Sequence, residues 1–209
     1  MRTIDIAHPE ALRAATKALR GGGVIALPTD TVYGLACDAH NEGAAAQVFA
    51  IKGRAGVKPL TLFVSNVEEA LRLGRPALPD HERVMRRFWP GPLTVVLRPL
   101  QRFPPGVTGE GGTVGVRVPD HAFCLDLLRA LGGPLATTSA NLSGGADIRE
   151  ASKVAEELGG ALALLLDGGV LPRRAPSLVV DLSAVPPRIL RPGERAIEIA
   201  ALLGLTPPP

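Results

Sequence analysis

The sequence predicts an α/β (α+β) chain built around one mixed parallel and antiparallel sheet with helices around it. Three observations carry this expectation. Short apolar runs with strand character alternate with amphipathic stretches of helical period. Late in the chain the strand-like runs follow one another with no helix between them, so antiparallel pairs must accompany parallel ones. Finally, 209 residues with 46% hydrophobic content can bury one sizeable core, and nothing demands a second domain. Residues 1–209 are therefore read as a single domain.

Taken in order, the first helix spans residues 9–20, with Pro9 in its first turn and Gly21-Gly22-Gly23 as its stop. Strands are expected at 23–27, 60–64, 93–97, 114–118, 134–138, 162–166, 177–181 and 188–190. Helices are expected near 42–52, 67–73, 79–88, 120–131, 150–158 and 194–203. Asp120, placed before an apolar helix, is read as its N-cap. The glycine-rich stretch Gly106 to Gly115 reads as a long hairpin-like loop, and Leu171 to Pro176 as a Pro/Arg-rich connector placed to cover a site. There is no internal repeat, and the Pro207 to Pro209 tail is expected to fray.

Composition narrows the class of function. The formal net charge of +3 permits contact with nucleic acid or acidic small molecules without requiring either. With 3% aromatic residues there is little stacking surface of the kind that single-strand binders use. Cys37 and Cys124 stand far apart and outside any Cys-x-x-Cys spacing, which favours two reduced core thiols over a disulfide or a thiolate zinc site. His8, His40, His81 and His121 show no His-x-x-x-His spacing and are read as surface or capping residues, so no protein-held metal is expected. The N-terminus lacks a signal-type apolar segment and no apolar run is long enough for a membrane span. A cytoplasmic protein with no membrane partner is expected.

Three segments carry chemistry. The apolar run Val24-Ile25-Ala26-Leu27 stops at Pro28 and opens into Thr29-Asp30-Thr31-Val32-Tyr33-Gly34-Leu35, whose hydroxyls, single carboxylate and only tyrosine suit a binding loop. A second segment, Lys52-Gly53-Arg54-Ala55-Gly56-Val57-Lys58-Pro59, concentrates two lysines and an arginine in a chain with four lysines and nineteen arginines. Ammonium and guanidinium together suit phosphate oxygens in different geometries, although cations also belong at an ordinary helix C-terminus. The third, Pro134-Leu135-Ala136-Thr137-Thr138-Ser139-Ala140-Asn141-Leu142-Ser143-Gly144, offers neutral donors and acceptors for a sugar or phosphate, and equally the residues of a common turn.

Together these segments resemble the YrdC family, the threonylcarbamoyl-AMP synthases. The likeness rests on Pro-Thr-Asp-Thr-Val-Tyr-Gly-Leu at 28–35 and on the Lys-x-Arg…Ser-x-Asn signature at Lys52, Arg54, Ser139 and Asn141. Phe88-Trp89-Pro90-Gly91-Pro92-Leu93-Thr94, Gly115-Val116-Arg117-Val118-Pro119, Ser177-Leu178-Val179-Val180-Asp181 and Ile189-Leu190-Arg191-Pro192-Gly193 extend it. The chain looks like the short form, without the further C-terminal domain of longer members. The resemblance implies a twisted sheet with a concave active-site face. It implies a nucleotidyltransferase that joins L-threonine, bicarbonate and ATP into threonylcarbamoyl-AMP and pyrophosphate, the donor that a downstream transferase uses to modify tRNA. Magnesium would arrive carried by ATP.

By the same resemblance, Thr31, Arg117, Thr137 and Ser177 hold L-threonine, with Arg117 forking onto its carboxylate. Arg54, Lys58, Thr113, Ser139, Asn141 and Arg191 bind ATP, and Lys52 and Arg54 form the catalytic pair, Lys52 facing the phosphates or the carbamate. Read from their own surroundings, Arg117 is compatible with a solvated strand residue and Arg191 with a turn residue. Trp89 reads as packing, and Tyr33 as either lining the pocket or orienting its loop. Two residues depart from the family's pattern: Phe63 puts an apolar ring where many relatives have histidine, and Asp147 puts a carboxylate near the nucleotide where they often have serine. These departures keep an alternative in view, a paralogue of this fold that binds double-stranded RNA or tRNA through its basic surface with little synthase activity.

Overall fold

A computed structural model describes residues 1–53, 58–109 and 111–206. The strands are β1 (Arg2–Asp5), β2 (Ile25–Leu27), β3 (Gly34–Asp38), β4 (Thr61–Phe63), β5 (Gly74–Arg75), β6 (Leu93–Pro99), β7 (Val114–Arg117), β8 (Leu135–Ser139), β9 (Leu164–Asp167), β10 (Leu178–Asp181) and β11 (Arg188–Arg191). The helices are α1 (Ala11–Arg20), α2 (Glu42–Ile51), α3 (Val67–Leu73), α4 (Glu82–Phe88), α5 (Ala122–Leu131), α6 (Ala151–Leu158) and α7 (Ala196–Leu203), with 3₁₀ turns at Pro79–His81 and Gly159–Ala161. Each helix expected from the periodicity is present, and the expected strands agree with observed ones to within a few residues. Two strands were not anticipated in the sequence reading beyond the two-residue β5: β1 and β3.

The strands form one sheet in the order β1-β9-β2-β3-β8-β4-β7-β6-β10-β11, with β5 paired to β6 off that path. It is mixed, as expected: β1–β9, β2–β9, β4–β7 and β6–β10 are parallel, whereas β2–β3, β3–β8, β4–β8, β6–β7 and β10–β11 are antiparallel.

Side chains alternate across a strand, so the register assigns every residue to one of two faces. On one face Leu35, Leu62, Val95, Val116, Ala136, Leu165, Leu178 and Val180 join the larger core, into which α2, α3, α4, α6 and α7 set Val48, Ala70, Met85, Val154 and Ile199. On the other, Ile4, Ile25, Leu27, Ala36, Leu135, Leu164 and Leu166 are covered by α1 and α5 through Ala11, Ala15, Leu19, Cys124, Leu127 and Leu128. These two helices cover the β1-to-β8 end of that second face. From the far end of β8 through β4 and β7 to β6 it carries Thr137, Ser139, Thr61, Phe63, Gly115, Arg117 and Thr94 instead, by the same alternation.

The helix ends follow local chemistry. Asn41 caps α2 by accepting from the Ala44 amide at 2.9 Å, and Asn66 caps α3 by accepting from the Glu69 amide at 2.8 Å. The expected Asp120 cap is corrected: His121 holds the N-cap position of α5 in an extended conformation and makes no side-chain capping bond. Cys37 and Cys124 are buried free thiols. Burial pushes the Cys37 thiol up to about 12 and raises that of Cys124 as well.

Candidate active site

The polar half-face of the sheet forms the floor of a cleft of about 390 Å³. Its lining includes Thr29, Thr31, Lys58, Thr61, Phe63, Thr94, Arg117, Thr137, Thr138, Ser139, Asn141, Asp147, Ser177 and Arg191. Thr61, Thr94 and Thr137 interrupt otherwise apolar strands, and each points its hydroxyl to this side. Gly115 keeps the floor open between them, since a Cβ there would lie 3.4 Å from Thr94 Cγ2 and 3.8 Å from Thr61 Oγ1.

Of the residues expected to hold an amino acid, Thr31, Arg117, Thr137 and Ser177 all line the cleft. Thr137 Oγ1 donates to the Thr61 carbonyl at 2.8 Å, so toward a ligand it presents lone pairs. Thr31 Oγ1 lies 3.1 Å from Thr29 Oγ1, which also accepts from the Thr31 amide and ties the loop into a compact turn. Arg117 is no solvated strand residue. Its Nε donates to the Gly91 carbonyl at 3.1 Å and its Nη2 to Asp30 Oδ2 at 2.7 Å, with the two side chains only 5% and 1% exposed. The guanidinium also lies over the Phe63 ring, 5.6 Å from its centroid, a cation–π distance.

Among the expected nucleotide residues, Lys58, Ser139, Asn141 and Arg191 line the same cleft. Arg191 is not an idle turn residue: its Nε and Nη2 donate to the carbonyl and hydroxyl of Ser177 at 2.8 and 2.9 Å, and Ser177 Oγ is 3.0 Å from Thr94 Oγ1. Burial lowers the Arg191 pKa, the nearby Arg117 charge lowers it further, and Asp147 acts in the opposite direction. Two guanidinium groups thus repel each other across the cleft, which makes the cleft attractive to an anion. Thr113 is not among the lining residues. Arg54 lies outside the described residues.

Lys52 is 1% exposed and is not among the lining residues. Its ammonium donates to the carbonyls of Ser139 and Asn141, both at 2.6 Å, and to Asn141 Oδ1 at 3.3 Å. Ser139 Oγ donates to the same Asn141 Oδ1 at 2.5 Å, while Asn141 Nδ2 donates to the Leu142 and Gly145 carbonyls. The Lys…Ser-x-Asn signature is therefore one hydrogen-bonded knot joining the end of α2 to the loop after β8. Tyr33 is resolved in favour of orienting its loop. Fully buried, it donates to the Gly169 carbonyl and accepts from the Gly168 amide, both at 2.9 Å. Trp89 is buried packing whose Nε1 donates to the Leu93 carbonyl at 2.6 Å.

A cleft with this composition, built from segments at both ends of the sequence, invites comparison with known proteins. The model of the Sua5/YciO/YrdC family, described as telomere recombination, matches residues 17–193. The chain belongs to that family. It is similar to the threonylcarbamoyl-AMP synthase of Pyrococcus abyssi, with 38% identity over 187 residues, covering 90% of this chain and 55% of that protein. The threonylcarbamoyl-AMP synthase of Bos taurus is 40% identical over 209 residues, covering 95% of this chain and 74% of that one. The crystal structure of P. abyssi Sua5 complexed with L-threonine superposes with a TM-score of 0.89 at 36% identity, over 97% of this chain and 60% of that chain. This family member thus spans little more than half the length of the archaeal relative.

Proposed function

We propose that the cleft makes threonylcarbamoyl-AMP and pyrophosphate from L-threonine, bicarbonate and ATP. The observation that carries this reading is that Arg117, Thr31 and Thr137 share one cleft with Arg191, Lys58 and Ser139, so an amino acid and a nucleotide can lie side by side. The named synthases among its relatives, and the threonine complex of one of them, support the choice of substrates.

The chemistry needs no covalent enzyme nucleophile. The threonine amine attacks bicarbonate carbon, forming the N–C bond of a carbamate and releasing water. A carbamate oxygen then attacks the α-phosphorus of ATP, and the bond to the bridging oxygen breaks as pyrophosphate leaves with the electron pair. What the chain supplies is alignment and fixed charge. Arg117 offers its Nη1 amino group to the threonine carboxylate. The Thr137 hydroxyl, already donating to Thr61, accepts from the amine or side-chain hydroxyl of the substrate. Arg191 and Lys58 face the phosphates, where the negative charge relieves the repulsion between Arg191 and Arg117. Lys52 acts through the Ser139–Asn141 loop it holds. Asp147, the carboxylate that lines the cleft, suits a magnesium ion carried in on ATP, which otherwise keeps its waters and offsets phosphate charge.

The product is a mixed anhydride whose acyl group a separate transferase would pass to tRNA, in the cytoplasm. The RNA-binding paralogue without synthase activity is not adopted, because the relatives named above are synthases.

The test is pyrophosphate release from ATP, magnesium and bicarbonate, with and without L-threonine, for the wild type and Arg117→Ala. Release that depends on threonine, and that falls at least a hundredfold in the variant at fixed threonine, is the expected result. A folded wild type that binds ATP and releases no pyrophosphate on adding threonine would refute the synthase.

A further inference from the structure

Asp30 sits in the binding loop between Thr29 and Thr31, yet unlike them it does not line the cleft. Its side chain, 1% exposed, points behind the cleft wall, where Oδ2 accepts from Arg117 Nη2. Oδ1 is buried and has no hydrogen-bond partner among the described residues. A carboxylate held out of water with one oxygen unpaired is a weak contribution to stability by itself, and its one partner, the equally buried Arg117, would be left as an uncompensated charge without it. The role of Asp30 is therefore to be read from Arg117.

That role follows from the donors of Arg117. A guanidinium has five N–H bonds in a rigid plane, so fixing two of them fixes the direction of the rest. Here Nε is committed to the Gly91 carbonyl and one Nη2 hydrogen to Asp30. The Phe63 ring packs against the guanidinium, 5.6 Å from its centroid. The Nη1 amino group is left for a ligand in the cleft. We infer that Asp30 is a positioning residue for amino-acid binding: it orients Arg117 so that Nη1 meets the substrate carboxylate, without touching the substrate itself. This inference rests on the proposed function, since it presumes that Arg117 receives the carboxylate. The Asp30 charge also offsets part of that of Arg117, which weakens the pull of this arginine on a phosphate at the amino-acid end of the cleft. Arg191 hydrogen-bonds to neutral groups of Ser177 and feels a carboxylate, Asp147, only at longer range, so it is the arginine left to the phosphates.

The experiment compares wild type, Asp30→Asn, Arg117→Lys and the double variant in steady-state pyrophosphate release, varying threonine and ATP separately. Threonine-dependent activity of the wild type is read first, so a failure of the synthase reading shows there and is not confused with a failure of this inference. Asp30→Asn keeps the shape and an acceptor for Nη2 but removes the charge. It is expected to raise KM for threonine at least tenfold, leaving KM for ATP within twofold and kcat within threefold. In the Arg117→Lys background the same change should add less than a further twofold, because residues that act through one another are not additive. An equal rise in both KM values, an unchanged KM for threonine, or a full tenfold addition in the double variant would overturn the inference. Should Asp30→Asn not fold, Asp30→Glu, which shifts the charge by one methylene, must give the same selective rise. Loss of folded protein in both variants would mark Asp30 as a folding residue and equally overturn it.

Discussion

At the scale of single residues, the buried Lys52 ammonium donates to the carbonyls of Ser139 and Asn141 and to the Asn141 side-chain oxygen. Replacing it with methionine keeps the stem and removes the donors, so those carbonyls lose their partner out of reach of water. Lys52→Met should lower stability by about 3 kcal/mol, measured by urea unfolding, and weaken ATP binding through the displaced Ser139–Asn141 loop. A variant of native stability that has lost only turnover would instead place the ammonium in the chemistry. The identity of such residues was legible in the sequence as hydroxyls, an amide and cations gathered after strands, whereas their direction was not. Lysine beside glycines reads the same whether its stem folds inward or out. Thr94 gives no such signal, because one hydroxyl among Leu93, Val95 and Leu97 looks like a strand residue of high β propensity. Only the shared face of Thr61, Thr94 and Thr137 reveals a polar floor, and that face depends on register between strands far apart in the chain.

At the scale of elements, α4 and α5 both begin at histidines, His81 and His121, whose buried Nδ1 atoms have no hydrogen-bond partner among the described residues. Burial lowers the pKa of each below its ordinary value, against the smaller opposing pull of Asp80 on His81 and of Asp30 and Asp120 on His121. Helix N-termini disfavour added positive charge as well. The unfolded chain therefore takes up protons on these histidines at a higher pH than the folded one. Stability is full above about pH 6.5, the unfolded value, and is lost as pH falls through the lowered folded values. Unfolding midpoints in urea measured between pH 7.5 and 5 should show this fall, and His121→Asn combined with His81→Asn should flatten it. A slope unchanged by both substitutions would assign the acid sensitivity elsewhere. Element existence was largely readable, because amphipathic helices and apolar strands announce their periods. β3 was not, since Gly34–Asp38 follows the binding loop so closely that its first residues were absorbed into that loop. β1 is four residues with a single buried position, too short for a period.

At the scale of the whole molecule, two helices cover one part of a sheet face and the substrate cleft occupies the next. Ligands that bind the folded chain alone must raise its stability by mass action. Saturation at a hundred times Kd adds about 2.7 kcal/mol, which in a chain of this size is a rise in melting temperature of about 5 to 10 °C. ATP with threonine should give that shift in a thermal melt, and Arg117→Ala should lose the part due to threonine while keeping the part due to ATP. Both ligands lacking any effect would count against the cleft as their site. The sheet itself has a consequence for how the protein comes into being. Its cleft draws on Thr29 and on Arg191, far apart in sequence, and among the described residues the strand that carries Arg191 pairs with β10, which in turn pairs with β6. During synthesis the Thr29–Thr31 loop emerges long before Arg191, and the two come to line one cleft only after β11 has joined β10 on the sheet. The order of synthesis thus separates the parts of the cleft in time, and a fragment that stops short of β11 would carry Thr29 and Thr31 without Arg191.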